Sequence, residues 1–395
     1  MNQNLNNVGI YVHIPFCPSK CGYCDFYSIP GADESLMEGY TKAVLAHIGE
    51  AAQFTGKNAK TFGRAADTVY FGGGTPAFLG IVRLKKLLAG LRKGYHISKG
   101  AEITIEANPD TVTLRTLKKL RKAGFNRISF GIQATQPDLL DTLGRAHDTQ
   151  SSADAVRNAA AAGFDNISAD IMYGIPGQKW ADLEETLHTV FTWGVRHISL
   201  YGLKLEEGTP LYEKNPIFPS DEEQAECYLN AIGLLEGNGF LQYEISNFAQ
   251  QGFACRHNSK YWDLGPYMGF GASAHSDLGN RRYAYVKDIQ EYINGVNDSN
   301  SIMQEMHEIK MVERAGEYVM LGLRTTKGIS SNEYTRLFNV SFDSLEVKLE
   351  RCAKWKLCTR SGDRWRLTPQ GFLVSNQIIG ELLNPMASET AVPGD

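Results

Sequence analysis

Three of the seven cysteines in the chain, Cys17, Cys21 and Cys24, lie within the stretch CPSKCGYCDF. A structural zinc site needs four ligands, and no paired Cys-x-x-Cys or histidine pair follows these three. A redox dithiol usually shows one C-x-x-C motif rather than three cysteines. Soft thiolates also bind iron–sulfur clusters, and three thiolates leave one iron of a four-iron cluster without a protein ligand. The triplet therefore favours a cluster whose open iron can bind a small chelating molecule.

The composition is that of a globular protein, with 43% hydrophobic residues among 395 and a formal net charge of −4. The acidic balance argues against nucleic acid as the main partner. No run approaches the ~18 apolar residues of a membrane span, and the start MNQNLNNVGI lacks the basic and apolar regions of a secretory signal. We therefore expect a cytoplasmic protein, in which clustered cysteines more often serve metal binding or catalysis than disulfides.

Short apolar segments alternate with helical segments over residues 8–210, and the cysteine triplet follows the first apolar segment directly. This alternation predicts parallel βα units, and about six units rather than eight predict an α/β fold with a partial (β/α)6 barrel. In such folds the ligand site lies at the carboxyl ends of the strands. The predicted strands are VGIYVHIPF, ADTVYFGG, AEITIEA, RISFGIQA, NISADIMYG and HISLYGLK.

The rest of the chain has a different pattern. Residues 211–300 are predicted to form an extension with a helix, a strand (FLQYEISNFA) and a loop that contains RHNSKYW. Residues 301–384 are predicted to form a C-terminal α+β module of winged-helix type, and residues 385–395 a disordered tail. In this module QEMHEIKMVERAGEYVMLGL and two later segments predict helices, and KLCTRSGDRWRLT predicts a hairpin before a last helix. Its basic residues are expected to form a solvated face rather than a DNA site.

The C-x-x-x-C-x-x-C motif after the first strand of a partial barrel resembles that of the radical S-adenosylmethionine superfamily. The resemblance implies that the three cysteines hold a [4Fe–4S] cluster and that the fourth iron chelates S-adenosylmethionine. An electron from the cluster could then cleave the sulfonium and release a 5′-deoxyadenosyl radical. By the same resemblance, the S-adenosylmethionine site comprises Tyr11, Tyr23, Gly73, Gly74, Thr75, Glu106, Gln133, Arg145 and Asp170.

Longer stretches resemble the oxygen-independent coproporphyrinogen III oxidase family, which contains oxidases and HemW-type haem chaperones. Two departures from the oxidases favour the chaperone branch. Phe26 stands where oxidases carry a further cysteine, and their N-terminal extension is missing ahead of Val8. Gln133, Arg145 and Asp170 match the second S-adenosylmethionine site of oxidases in part, so one or two bound molecules remain open. The stretches are YVHIPFCPSKCGYCDF, FGGGTPAFL, SFGIQATQPDLLDTLGRAH and DIMYGIPGQ.

The stretch RHNSKYW resembles a signature of the chaperone branch and supplies His257, Asn258, Tyr261 and Trp262 as candidate haem-binding residues. An imidazole is a common ligand of haem iron, and Tyr and Trp rings can pack on the macrocycle. Cys255 is an alternative soft ligand, and we rank His275 in GFGASAHSDLG below His257.

Three functions follow as hypotheses from these patterns. The first is a haem chaperone that binds haem and delivers it to haem proteins, which can include membrane-associated ones. The second is an oxygen-independent coproporphyrinogen III oxidase-like radical enzyme, so whether the chain catalyses a reaction is left open. The third is a metal-binding barrel without haem chemistry. The patterns are compatible with a monomer or a homodimer.

Overall fold

The strands form one large sheet and two small ones in the computed structural model, which describes residues 7–57, 65–297 and 299–384. The predicted disordered tail, 385–395, lies outside the described residues. The strands are β1 (Val8–Ile14), β2 (Phe16–Cys17), β3 (Ile29–Pro30), β4 (Ala66–Gly73), β5 (Ile97–Ala107), β6 (Arg127–Gln133), β7 (Asn166–Tyr173), β8 (His197–Gly202), β9 (Leu241–Glu244), β10 (Asn247–Ala249), β11 (Tyr267–Phe270), β12 (His275–Leu278), β13 (Arg281–Tyr285), β14 (Met303–Glu308), β15 (Ile329–Ser330), β16 (Cys358–Ser361) and β17 (Arg364–Leu367).

The helices lie mainly between the strands of the barrel and in the C-terminal module. None of those in the described ranges combines the length and the apolar character that a membrane-spanning helix requires. The helices are α1 (Glu34–Thr55), α2 (Ile81–Gly94), α3 (Leu114–Ala123), α4 (Pro137–Leu143), α5 (Thr149–Ala161), α6 (Trp180–Thr192), α7 (Pro210–Glu213), α8 (Asp221–Gly237), α9 (Arg256–Trp262), α10 (Ile289–Gly295), α11 (Ser299–Ile302), α12 (Met311–Gly322), α13 (Ser331–Phe338), α14 (Asp343–Lys354), α15 (Pro369–Leu373) and α16 (Ser375–Leu383).

The large sheet confirms the predicted partial barrel. Its order is β14-β13-β12-β11-β1-β4-β5-β6-β7-β8-β10-β9, and the six predicted strands are the parallel run from β1 to β8, with helices between successive strands. β11 is a further parallel strand beside β1, which the sequence did not predict. Antiparallel strands extend both ends of this parallel run, so the sheet stays open rather than closing on itself.

The two faces of the parallel strands differ in chemistry because successive side chains point to opposite faces. Ile10, Val69, Ile105 and Ile128 are fully buried in the apolar core that the surrounding helices cover. Burying such side chains stabilises the fold by roughly 1.5–3 kcal/mol each. Neighbouring positions on the other face are polar or aromatic, and they point into the barrel. The helix-facing side therefore builds the core, and the inner side remains available for ligands.

Three local predictions were wrong. The segment from Gln304 was predicted as the start of a helix, but Met303–Glu308 pairs with β13 as an edge strand, and the helix begins only at Met311. FLQYEISNFA forms two short paired strands, β9 and β10, rather than one. RHNSKYW forms the helix α9 rather than a loop. Pairing with an existing strand overrides the weak helix preference of the first segment.

The C-terminal module has the predicted winged-helix-like α+β composition, with helices around a small sheet of order β15-β17-β16. Its first helix, α12, is tied to the barrel sheet by a partly buried charge network. Arg314 contacts Asp277 of β12 at 2.8 Å and Glu317 at 3.0 Å, and Glu317 contacts Arg282 of β13 at 2.8 Å. The side chains of Arg314, Asp277 and Glu317 are 13–15% exposed, so water screens these pairs only weakly.

We expect Arg314→Met to lower the free energy of unfolding by about 2 kcal/mol, because it leaves two partly buried carboxylates without this partner. Urea unfolding of the two proteins under anaerobic conditions would measure the difference. The matched control is Lys327→Met, since Lys327 pairs with Asp263 at 2.8 Å but both side chains are 47% exposed. A loss in Arg314→Met no larger than in this control would contradict the proposed anchoring.

Candidate functional site

A cavity of about 540 Å³ opens at the carboxyl ends of the parallel strands. Its volume lies in the usual range for small-molecule and cofactor sites. Every predicted site residue except Trp262 lines it: Cys17, Cys21, Cys24, Tyr11, Tyr23, Gly73, Gly74, Thr75, Glu106, Gln133, Arg145, Asp170, His257, Asn258 and Tyr261. The fold thus brings together residues that lie up to 250 positions apart in sequence.

The cysteine loop begins on β2 and is held in place by backbone hydrogen bonds from two other elements. Gly22 N donates to Leu143 O at 3.0 Å, and Leu211 N donates to Gly22 O at 2.8 Å. The short parallel pairing of β2 with β3 fixes the start of the loop, where Phe16 lies opposite Ile29. All seven cysteines of the chain are free thiols. The loop therefore presents its three thiols to the cavity from a fixed backbone.

The three thiols fit a cluster better than a single ion. Within the described ranges, no three His, Cys, Asp or Glu side chains are grouped so that they could hold one metal ion. A four-iron cluster does not require the three thiols to converge on one position, because each thiolate binds a different iron. Burial raises the pKa of the thiols of Cys17 and Cys24, as expected for a soft-ligand site inside a protein.

Arg145 connects the cysteine loop to the neighbouring strands. Its Nη1 donates to Cys21 Sγ at 3.2 Å, and its Nη2 donates to Gly131 O at 2.6 Å and to Asn108 Oδ1 at 2.9 Å. Its buried Nε has no hydrogen-bond partner among the described residues. Arg145 was predicted as an S-adenosylmethionine contact, and its bond to a cysteine was not predicted.

Three consecutive glycines at the end of β4, Gly72, Gly73 and Gly74, leave space that any side chain would fill. A Cβ on Gly72 would lie 3.1 Å from the Tyr11 ring and 3.2 Å from Glu106 Oε2. A Cβ on Gly73 would lie 2.7 Å from the His13 ring, and φ of Gly73 is +120°. A Cβ on Gly74 would lie 2.8 Å from Cys17 Sγ. Glycine at Gly73 and Gly74 therefore lets the backbone approach the cysteine loop and the cavity, and a larger residue at Gly72 would have to displace the Tyr11 ring or Glu106.

Two carboxylates point into the cavity from adjacent parts of the barrel. Tyr70 donates its hydroxyl to Glu106 Oε1 at 2.6 Å, and Gly73 N donates to Oε2 at 3.2 Å. Ser129 donates to Asp170 Oδ1 at 3.1 Å. Burial raises the pKa of Glu106 from 4.5 to about 7 and also raises that of Asp170. Ionised carboxylates can accept hydrogen bonds from the hydroxyls of a ribose.

Gln133 ends β6 in a left-handed backbone conformation, with φ of +70°, and is only 8% exposed. A residue other than glycine is uncommon in this conformation, and such strain often marks a ligand site. Tyr70, Asn108 and Ser129 also line the cavity, although the sequence analysis did not identify them. The strand register identifies two of them, because Tyr70 lies opposite Tyr11 and Ser129 lies opposite Glu106.

The RHNSKYW helix, α9, lies inside the barrel near the amino-terminal halves of the strands. The carboxylate of Glu102 accepts hydrogen bonds from the backbone N–H groups of Arg256 at 3.1 Å and His257 at 3.0 Å. Lys260 forms a buried ion pair with Asp67 at 2.8 Å. Gly9 faces the helix, since a Cβ there would lie 3.0 Å from the Lys260 side chain. These contacts fix α9 as the floor of the cavity.

His257 is 1% exposed, and both of its ring nitrogens have partners. Nδ1 lies 2.8 Å from Thr68 Oγ1, and Nε2 lies 2.8 Å from the hydroxyl of Tyr261. The ring stacks on that of Tyr70, with centroids 5.1 Å apart, and lies 6.4 Å from that of Tyr11. Burial lowers the pKa of His257 to about 3, so the imidazole is neutral and carries a lone pair.

The two alternative haem ligands are placed less favourably than His257. Cys255 is fully buried, its thiol lies 3.6 Å from Glu102 Oε1, and it does not line the cavity. Burial raises the pKa of this thiol to about 12, so it remains protonated. His275 is exposed on β12 and does not line the cavity. Trp262 is partly exposed and also lies outside the lining.

Comparisons with known proteins show the family of the chain. The radical SAM superfamily model matches residues 11–190, and the HemN C-terminal domain model matches residues 312–374. The chain is 35% identical to the heme chaperone HemW of Bacillus subtilis over 95% of this chain and 99% of that protein. The chain belongs to the HemW family. HemW proteins of Mycobacterium tuberculosis and Escherichia coli are 32% and 28% identical over 95% of this chain and 94% and 98% of theirs.

The solved structure of the coproporphyrinogen III oxidase HemN from Escherichia coli shares the fold of this HemW family member. The TM-score is 0.84 at 22% identity, and the likeness covers 96% of this chain and 90% of that one. At this identity the comparison shows the fold alone. As a radical SAM protein, the chain carries a [4Fe–4S] cluster and S-adenosylmethionine as cofactors. Cys17, Cys21 and Cys24 are the residues that would hold the cluster, and a bound cluster would be able to supply an electron to the sulfonium of S-adenosylmethionine.

Gly74→Ala is expected to lower the cluster content of this HemW family member strongly, because the new methyl group would lie 2.8 Å from Cys17 Sγ and 2.9 Å from Phe16 O. Iron and sulfide per chain after anaerobic purification would measure the loss. Gly39→Ala on α1 is the matched control, since a Cβ there meets no atom within 4 Å. Equal cluster content in the two variants would contradict this account of the glycine.

Glu106→Gln is expected to stabilise the protein increasingly as pH rises. The folded-state pKa of about 7 lies above the ordinary 4.5, so the folded chain binds more protons than the unfolded chain between these values. Ionisation of Glu106 therefore destabilises the fold as pH rises through this window, and glutamine removes that cost. The advantage of the variant should grow by at most about 3 kcal/mol between pH 4.5 and pH 8.

Anaerobic urea unfolding at both pH values would measure this change. The exposed Glu236 on α8 provides the control substitution, Glu236→Gln. If the stability of the two glutamine variants changed equally with pH, the pKa of Glu106 would not be raised in the folded protein.

Proposed function

We propose that the chain is a haem chaperone, which binds haem and passes it to haem proteins while it carries the cluster and S-adenosylmethionine. Full-length similarity to proteins named heme chaperone supports this function, with 28–35% identity over about 95% of the chain. The structural observation that carries it is the position of α9. The helix with the candidate haem residues forms the floor of the same cavity that the cysteine loop covers from above.

The floor has the chemistry that a porphyrin needs. The rings of Tyr11, Tyr70 and His257 lie nearly parallel, with interplanar angles of 28–29°. Aromatic faces of this kind pack on a flat macrocycle, and a neutral imidazole supplies a lone pair for iron. Asn258 and Tyr261 line the cavity beside this stack. Trp262 lies on the same helix outside the lining, so we assign it to packing around the floor rather than to contact with haem.

The upper part of the cavity suits S-adenosylmethionine. Glu106 and Asp170 would accept hydrogen bonds from hydroxyl groups, and the glycines at the end of β4 would admit the ligand close to the backbone. Tyr23 lies in the cysteine loop and forms part of the wall. Arg145 is already bonded to Cys21, Gly131 and Asn108, which leaves it little capacity for a second molecule. We therefore favour one bound S-adenosylmethionine over two.

A radical enzyme that acts on a porphyrinogen is the second candidate. It is favoured by one observation, the complete set of predicted cofactor residues around a cavity of about 540 Å³. Anaerobic incubation with coproporphyrinogen III, reductant and S-adenosylmethionine separates the two functions, because only the enzyme forms a vinyl-bearing product. Delivery to membrane-associated acceptors, a monomeric or homodimeric state and a cytoplasmic location stay predictions of the sequence.

The haem site is tested by titrating the anaerobic, cluster-loaded protein with haem while the Soret band is recorded. We expect a stoichiometric end point for the parent protein and its loss in His257→Ala, because this variant removes the only imidazole that the described residues contribute to the cavity lining. His275→Ala is the matched control, since His275 lies outside that lining. Absence of saturable haem binding in the parent protein would contradict the chaperone function. The product assay would then test the enzyme function.

A further inference from the structure

His257 cannot bind iron in the arrangement seen here, because both ring nitrogens already have hydrogen-bond partners. One partner must leave before a lone pair can reach the metal. Thr68 Oγ1, beside Nδ1, belongs to a fully buried residue in the middle of the barrel. The hydroxyl of Tyr261, beside Nε2, belongs to a partly exposed residue that lines the cavity. Nε2 is therefore the nitrogen that can be uncovered.

Tyr261 has space into which it can move. A second cavity of about 320 Å³ lies on its other side, between α9, β11, β12 and α12. Tyr261 lines both cavities, and its ring meets that of Tyr267 edge to face with centroids 4.7 Å apart. Leu264, Met320 and Leu321 provide an apolar part of its lining, and Asp277, Arg282 and Glu317 provide a charged part. A rotation of the Tyr261 side chain would thus move its ring and hydroxyl into a cavity that has both apolar and charged groups, without displacing a fully buried core residue.

We propose that Tyr261 is a latch on the haem site. In the haem-free protein its hydroxyl occupies Nε2 of His257, and it moves toward the second cavity when haem iron takes that nitrogen. This inference rests on the proposed haem chaperone function and adds the reacting atom and the residue that controls access to it. Tyr261 is a positioning residue in this scheme, since it acts on iron only through His257.

If Tyr261 is a latch, removal of its hydroxyl should strengthen haem binding. If the hydroxyl contacts haem directly, its removal should weaken haem binding. Haem binding must break the hydrogen bond between the Tyr261 hydroxyl and His257 Nε2, and a hydrogen bond of this type contributes a free energy equivalent to about a two- to tenfold change in an equilibrium constant. Tyr261→Phe removes the bond from the haem-free protein and keeps the ring. Haem should therefore bind about two- to tenfold more tightly to this variant. A tyrosine that contacted haem through its hydroxyl would give weaker binding after the same substitution.

The experiment compares haem dissociation constants of the anaerobic, cluster-loaded parent and Tyr261→Phe, with the Soret spectrum of each complex. The expected result is tighter binding with an unchanged spectrum, because the ligand to iron stays the same. Tyr292→Phe is the matched control, since Tyr292 forms an equivalent bond to His47 Nδ1 at 2.8 Å outside the cavity. It should leave the haem dissociation constant unchanged. Leu321→Phe reduces the second cavity and should weaken haem binding.

The outcomes separate the latch from the proposed function. If the parent protein binds no haem, the chaperone function fails. If the parent protein binds haem but Tyr261→Phe binds it equally or more weakly, the latch is refuted and the chaperone function stands. The latch is also refuted if haem binding survives in His257→Ala. Far-ultraviolet circular dichroism and cluster content show whether each variant remains folded.

Discussion

The carboxylate of Glu102 determines how the lower half of the barrel is arranged. It is 6% exposed and accepts hydrogen bonds from two backbone N–H groups at the start of α9. A buried carboxylate is costly unless it is paired or hydrogen-bonded, so the strand and the helix must stay together. The ion pair of Lys260 with Asp67 fixes the same helix at a second point. The position of His257, and hence the floor of the cavity, follows from these two anchors.

The upper half of the cavity depends on the close approach of two backbone segments rather than on charged groups. The cysteine loop lies against the backbone after β4, and only glycine leaves room for Cys17 at this place. Arg145 then joins the loop to Gly131 and Asn108 on the far side. The loop is thus held from two directions, and its thiols face the carboxylates of Glu106 and Asp170 across the cavity. One cavity can in this way hold both soft ligands for iron and acceptors for ribose hydroxyls.

The sequence predicted what depends on local pattern. Long apolar segments identified the six central strands, and the cysteine spacing identified the loop, because both signals are complete within a few residues. Residues on the inner face, such as Tyr70 and Glu102, were not predicted, since their direction depends on the register between distant strands. The helix α9 was predicted as a loop because its seven residues are too few to show a helical period. The burial of His257 also depends on contacts distant in sequence.

The open sheet has two ends, and the C-terminal module contacts both. At one end Ile245 N donates to Arg324 O at 2.9 Å, next to the edge strand β9, and near the other end Arg314 binds Asp277 of β12, two strands from the edge strand β14. An open barrel can change its curvature more easily than a closed one. An element that contacts both ends of the sheet limits this change. The width of the cofactor cavity is therefore governed in part by residues that never touch a cofactor.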